Sequence, residues 1–232
     1  MNEKKEHKCH LKISIPLYNK ENLIKDAFRI YGGFILKNLF KRKLTAKEFW
    51  SWFERNSEDY FQLDENKYDI LFNKLGLQLS KYHKDLTFEF SVETNQGKRE
   101  FIISAEGMVS AFPAVIKLVE EAPSLEKFNI VAFRQRKNNE QEIYFEDIVL
   151  NTKDIFFTYR EDKQRNCLDV VIYIKGYTEE NDQFIGAAFI ILDSLIGEYD
   201  VGVKLGEINF EPYQEKKDIQ SILTLVTLVD KL

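Results

Sequence analysis

Twice along this chain the apolar residues change period in one order: strand, strand, helix, strand. No other feature restricts the available folds as much. In DLTFEFSVE, Leu86, Phe88, Phe90 and Val92 alternate with Thr87, Glu89, Ser91 and Glu93, the mark of a strand with one wet face. TNQGK supplies a turn in which Gly97 is free to take a positive φ, and EFIISA returns, so residues 86 to 105 are expected as a hairpin. A helix through Phe112, Val115, Ile116 and Val119 should follow, with Pro113 tolerated in its first turn, and Pro123 marks its end before the strand NIVAFR. Further on, IFFTYR, the turn REDKQRN, CLDVVIYIK, a helix from about Gln183 to Ile196 and KLGEINFE run through the same order. That second helix is expected to bury Ile185, Phe189, Leu192 and Ile196. The two stretches share no matching residue identities, so the repetition is one of architecture.

Helices should precede these units. LTAKEFW offers Thr45 as N-cap and Glu48 three residues later, the reciprocal arrangement of a capping box. Behind it, Phe49, Trp52, Phe53 and Tyr60 form a stripe, while Trp50 and Phe61 fall off it. A second helix from about Asp64 carries Tyr68, Leu71, Phe72, Leu75, Leu79 and Tyr82 on one face, and two such helices with a short connection pair antiparallel. The expected fold is therefore α+β: N-terminal helices, then two strand-strand-helix-strand units forming mainly antiparallel sheet, then a C-terminal helix. The expected boundaries are a basic extension over 1–43 and a single body over 44–232. Within the body lie a helical pair at 45–83, a first unit at 86–134, a second at 143–211 and a terminal helix at 214–230. IYFEDIVL adds a strand or a bent connection, and the polar QRKNNEQE before it is expected as a mobile surface loop.

In the extension, residues 1 to about 20 lack periodicity apart from a short extended piece at LKISI. Helical spacing runs from Leu23 to Ile35, broken at Gly32 and Gly33. MNEKKEHKCH does not read as a signal peptide, and no uncharged apolar run reaches membrane-spanning length. Cys9 and Cys167 lie far apart, which fits a reducing cytoplasm without a disulfide.

Charge narrows the function classes. Residues 1–47 carry twelve Lys and Arg against four Asp and Glu, and the remainder carries twenty-one against thirty-four. An acidic body repels phosphate backbones, so no nucleic-acid partner is expected. Membrane contact is not expected either, since the brief FILKNLFKRK is a weak patch. His7, Cys9 and His10 are too few for a tetrahedral zinc site, and neither a metal nor a cofactor is expected. His83 reads as an exposed cation at a helix C-terminus. Gly-rich phosphate loops are absent.

Carboxylates are the enzymatic candidates. Glu106 follows a strand in SAEG, and Glu198, Asp200 and Glu207 gather in GEYDVGVKLGE, read as an acidic loop. Arg134 and Arg136, at a strand end, could grip an anion or a partner, and Trp50 and Phe61 could form a small binding edge.

The segments LKNLFKRKLTAKEFWSWFERN, ISAEG with AFPAVIKLVEEAP, and IILDSLIGEYDV resemble an uncharacterised group of bacterial cytosolic α+β proteins with a Trp-containing leading helix. The resemblance covers about residues 34 to 211 and implies architecture and no function. Usage rich in Lys, Asn and Ile fits an AT-rich bacterial genome. The leading expectation is a non-enzymatic protein-interaction module of a bacterial cytoplasm, an immunity-type toxin antidote or an assembly subunit with a basic partner. The alternatives are a metal-assisted hydrolase using the carboxylate cluster, and a structural protein that self-associates through its basic N-terminal segment.

Overall fold

A computed structural model describes residues 43–137, 141–145 and 147–232. The expected tail, the broken helical segment, most of the apolar and basic stretch, and His7, Cys9 and His10 lie outside the described residues. So does part of the polar loop over 135–142.

Helix α1 (Ala46–Gln62) begins where the capping box places it: the Glu48 amide donates to Thr45 Oγ1 at 3.2 Å, and the Thr45 amide donates to the Glu48 carboxylate at 2.9 Å. It ends at Leu63, whose φ of 45° leaves the helical region. A short 3-10 turn capped by Asp64 leads into α2 (Tyr68–Tyr82), which buries Leu71, Leu75, Leu79 and Tyr82. The first sheet holds β1 (Thr87–Phe90), β2 (Arg99–Ser104) and β3 (Phe128–Ala132) in that order, β1 antiparallel and β3 parallel to β2. Helix α3 (Phe112–Glu120) makes the crossover, with a proline in its first turn. A hairpin of β4 (Glu142–Phe145) and β5 (Ile148–Asn151) comes next.

The second sheet is ordered β8-β7-β6-β9. Strands β6 (Ile155–Asp162) and β7 (Cys167–Ile174) are antiparallel, and β8 (Leu205–Pro212) lies parallel to β7 after α4 (Gln183–Ile196) and α5 (Glu198–Lys204). Strand β9 (Gln220–Ser221) pairs with β6, and α6 (Leu225–Val229) follows a 3-10 turn. Among the described residues there are six α-helices and nine strands, mixed α+β with mainly antiparallel pairing. No helix among them is long and apolar enough to cross a membrane.

Two separate cores form. One, around Phe49, Trp50, Phe53, Phe101, Val115 and Phe128, lies between the first sheet and α1 to α3. The other, around Phe157, Ile172, Ala187, Ile191, Leu195 and Leu225, fills the space between the second sheet, α4, α6 and the β4–β5 hairpin.

Four details depart from the expectations. Val92 is 75% exposed, because β1 ends at Phe90 and the Arg99 guanidinium then takes the Ser91 and Val92 carbonyls. Helix α4 buries Ala187, Ala188, Ile191 and Leu195 as well as Leu192 and Ile196, while Phe189 faces outward. Its small residues let the hairpin approach: a Cβ at Gly186 would stand 2.8 Å from the Phe145 ring. GEYDVGVKLGE is not a loop, since Glu198–Lys204 is helical. The terminal helix is shorter than 214–230: EKKD lacks apolar periodicity, Asp218 has φ 69°, and Gln220 and Ser221 join the edge of β6.

Candidate functional site

The polar residues with the most constrained surroundings lie where the first sheet and α3 meet α4 and α5. Glu106 and Gly107, after β2, have φ of 48° and 73°. This left-handed pair turns two amides inward, and Glu198 Oε1 accepts from Ala105 N–H at 2.9 Å and Gly107 N–H at 3.4 Å. Phe133, after β3, has φ 63°, a conformation costing a bulky residue roughly 1–3 kcal/mol. It is held by its N–H bond to the Ile103 carbonyl at 2.8 Å and by its ring against Phe112 and Tyr199. The turn points the Arg134 amide at Glu198 Oε2, 3.1 Å away, and the Glu198 amide returns a bond to the Arg134 carbonyl at 3.0 Å. Glu198 is wholly buried, so three N–H donors replace its hydration.

The Arg134 side chain completes the joint. Its Nε donates to Glu89 on β1, and its guanidinium reaches Asp193 on α4 at 3.1 Å. Burial opposes the guanidinium charge, but Glu89, Asp193 and Glu198 together raise its pKa. Asp193 is pushed up to about 7: burial is the largest cause, Arg134 pulls the other way, and Glu198 and Glu89 add repulsion. Beside this cluster, Arg136 Nε donates to the Ile196 carbonyl at 2.7 Å, and the same guanidinium pairs with Asp200 and Asp230. Lys204 lies 3.3 Å from Asp200.

Among the sequence candidates, Glu198, Arg134, Asp200 and Arg136 are thus brought together, with exposed Glu106 above them. Glu207 is elsewhere, on β8, in a shallow depression with Arg160, Asp169 and Asn209 on the open face of the second sheet. The four acidic candidates therefore do not converge. Glu198 has its oxygens committed to amides, and Asp200 is bound by Arg136 and Lys204, which leaves neither as an open metal ligand or proton acceptor. Among the described residues, no three His, Cys, Asp or Glu side chains form a group suited to a metal ion. His83 is half-buried, and its Nδ1 faces the Asp85 amide at 3.4 Å.

The aromatic candidates separate. Trp50 is 2% exposed and its indole N–H donates to the Leu118 carbonyl at 2.7 Å, which fastens α1 to α3 and leaves no surface for a partner. Phe61 is half-buried, set edge-on to Phe128, with Lys127 and Arg99 5.0 and 5.8 Å from its ring centre. Sequence does not single out Glu89, Asp193 or Arg99, each on a strand or helix: Asp193 and Arg99 are buried and Glu89 is half-buried. A charged residue inside an apolar run, such as Asp193 in IILDSLI, is the signal that could have found one of them.

Over this joint lies an exposed apolar patch. Met108, Val109, Tyr199 and Val203 are each between 39% and 49% exposed. Tyr199 and Val203 are four apart on α5 and share a face. Val109 approaches α5 at Gly202, where an added Cβ would lie 3.1 Å from its side chain and 2.7 Å from the Phe112 ring. Tyr199 stacks on Phe112 at 5.7 Å. No protein-family model matches the chain, and no curated protein matches it.

Proposed function

We propose that this protein is a non-enzymatic protein-interaction module of a bacterial cytoplasm that binds a basic protein partner through the patch of Met108, Val109, Tyr199 and Val203. The observation carrying this reading is the patch itself: four large apolar side chains, two on each side of the close contact between Val109 and Gly202, stand partly in solvent beside the polar network that ties Ala105 and Gly107 to Glu198. Exposed apolar patches on a protein surface mark interaction sites. The acidic body around it favours a partner whose surface is basic with an apolar centre, steered in by complementary charge. An immunity-type antidote that covers a basic toxin, or a subunit of a bacterial assembly, would have such a partner.

The test compares the native chain with a Val109→Asp, Val203→Asp variant as baits for native lysate. A basic protein captured saturably at low salt, released at high salt and lost with the variant is the expected result. Saturable capture of nothing, or equal capture by both baits, would overturn the reading. So would a dimer, seen by sedimentation, that the variant abolishes, since the patch would then belong to a second copy of this chain.

A further inference from the structure

The joint between the two sheets contains more acid than base. Glu89 from β1, Asp193 from α4 and Glu198 from α5 face one guanidinium, Arg134, at the end of β3. The next charges outward already have partners of their own: Arg136 with Asp200 and Asp230, and Lys204 with Asp200. The three acids are not equally provided for. Glu198 is met by three amides, and Glu89 holds Arg134 Nε with its side chain 21% exposed. Asp193 has an 8% exposed side chain and a single charged contact, to the far end of a guanidinium it shares. It is the carboxyl on which a proton costs least.

We propose that the joint is a proton-dependent clasp: with Asp193 protonated the two sheets are held firmly together, and ionisation of Asp193 loosens the contact between them. Both cores persist in either state, because neither is built from the side chains of Glu89, Arg134, Asp193 or Glu198. The direction follows from linkage. An opened joint hydrates Asp193 and returns it to the ordinary carboxylate range, so the open form binds its proton less tightly than the closed form. Opening then becomes easier as pH rises above about 4, below which both forms are protonated, and levels off above neutrality, where both are ionised. Acidification within that window tightens the clasp. The joint would respond in this way whether or not the neighbouring patch binds a partner.

Amide hydrogen exchange on the full chain reads the clasp directly, at the N–H groups of Ala105, Gly107, Arg134, Lys137 and Glu198 that cross it. After correction for intrinsic rate, their opening is expected to rise up to about tenfold per pH unit between pH 5 and 7 and to flatten above. Amides of β7 should show no such slope. In Asp193→Asn, which keeps an acceptor oxygen for Arg134 but cannot ionise, the slope should vanish and protection should match that of the native protein at the acid end of the window, at or below about pH 4. A slope that persists in the variant, or joint protection in the native protein that does not change with pH, would overturn the proposal. A carbon-13 titration of the native Asp193 carboxyl gives a check free of any variant: a midpoint near 7 supports the clasp, and one in the ordinary carboxylate range refutes it.

Discussion

Glu198 and Trp50 each fasten separate elements of the fold through a buried polar group, Glu198 by accepting from amides after β2 and β3 and Trp50 by donating to a carbonyl of α3. Glu198 sits in GEYDV, an acidic stretch that reads as solvated, yet its carboxylate is enclosed by amides of Ala105, Gly107 and Arg134. Trp50 falls off the helical stripe, yet it is buried because α3 supplies a carbonyl for its indole N–H. Replacing Trp50 by Phe leaves the Leu118 carbonyl without its partner inside the core and is expected to cost roughly 1–3 kcal/mol, measured by urea unfolding. Trp52 is half-buried, with Lys74 5.6 Å from its ring centre. Trp52→Phe should therefore shift the protein's tryptophan emission to the blue, because only the buried Trp50 of α1 then emits. An unchanged spectrum would mean that the two indoles share one environment.

At the scale of elements, local chemistry decides most boundaries, and these could be read. Thr45 and Glu48 predict the start of α1, and Thr45→Ala is expected to cost about 1 kcal/mol by thermal unfolding. The period-two run locates β1, because alternation requires only that one face be wet, whereas β7 shows as a near-continuous apolar run because it is buried along almost its whole length. What could not be read depends on long-range contact. Helix α4 buries a face of small residues, legible only once the β4–β5 hairpin is known to press on Gly186. Helix α5 forms in an acidic segment because Glu198, in its first turn, finds buried donors far away in sequence. Gly202 is a contact of the same kind: Gly202→Ala would drive a methyl into the Phe112 ring and should destabilise by roughly 1–3 kcal/mol. Val203→Ala, one residue on and half in solvent, should change stability by less than about 0.5 kcal/mol.

For the whole molecule, acidic groups set opposing slopes of stability against pH. Asp169 is held down to about 2, first by its bond from Arg160, then by the Glu207 amide and Arg165. Its contribution is present above the ordinary aspartate range and is lost as pH falls through that range toward 2. Asp193 is raised, so its contribution is present in acid and is lost as pH climbs toward 7. Urea midpoints of the native protein and Asp193→Asn should therefore agree at or below about pH 4 and diverge progressively up to about pH 7, with the variant the more stable. The sequence shows the acidic excess of the body, but not which carboxyl is left without adequate partners, because that depends on Glu89, Asp193 and Glu198 converging from three elements on one arginine.

The account rests on Glu198 as the residue that ties the two sheets together and fixes the backbone beneath the exposed patch. Glu198→Gln is the most direct measurement. The amide nitrogen it introduces must face an N–H donor, so unfolding in urea at pH 7 should show a loss of roughly 2–4 kcal/mol, with faster exchange at Ala105 and Arg134. A loss below about 0.5 kcal/mol, the range of an ordinary surface change, would contradict the placement of this carboxylate at the joint.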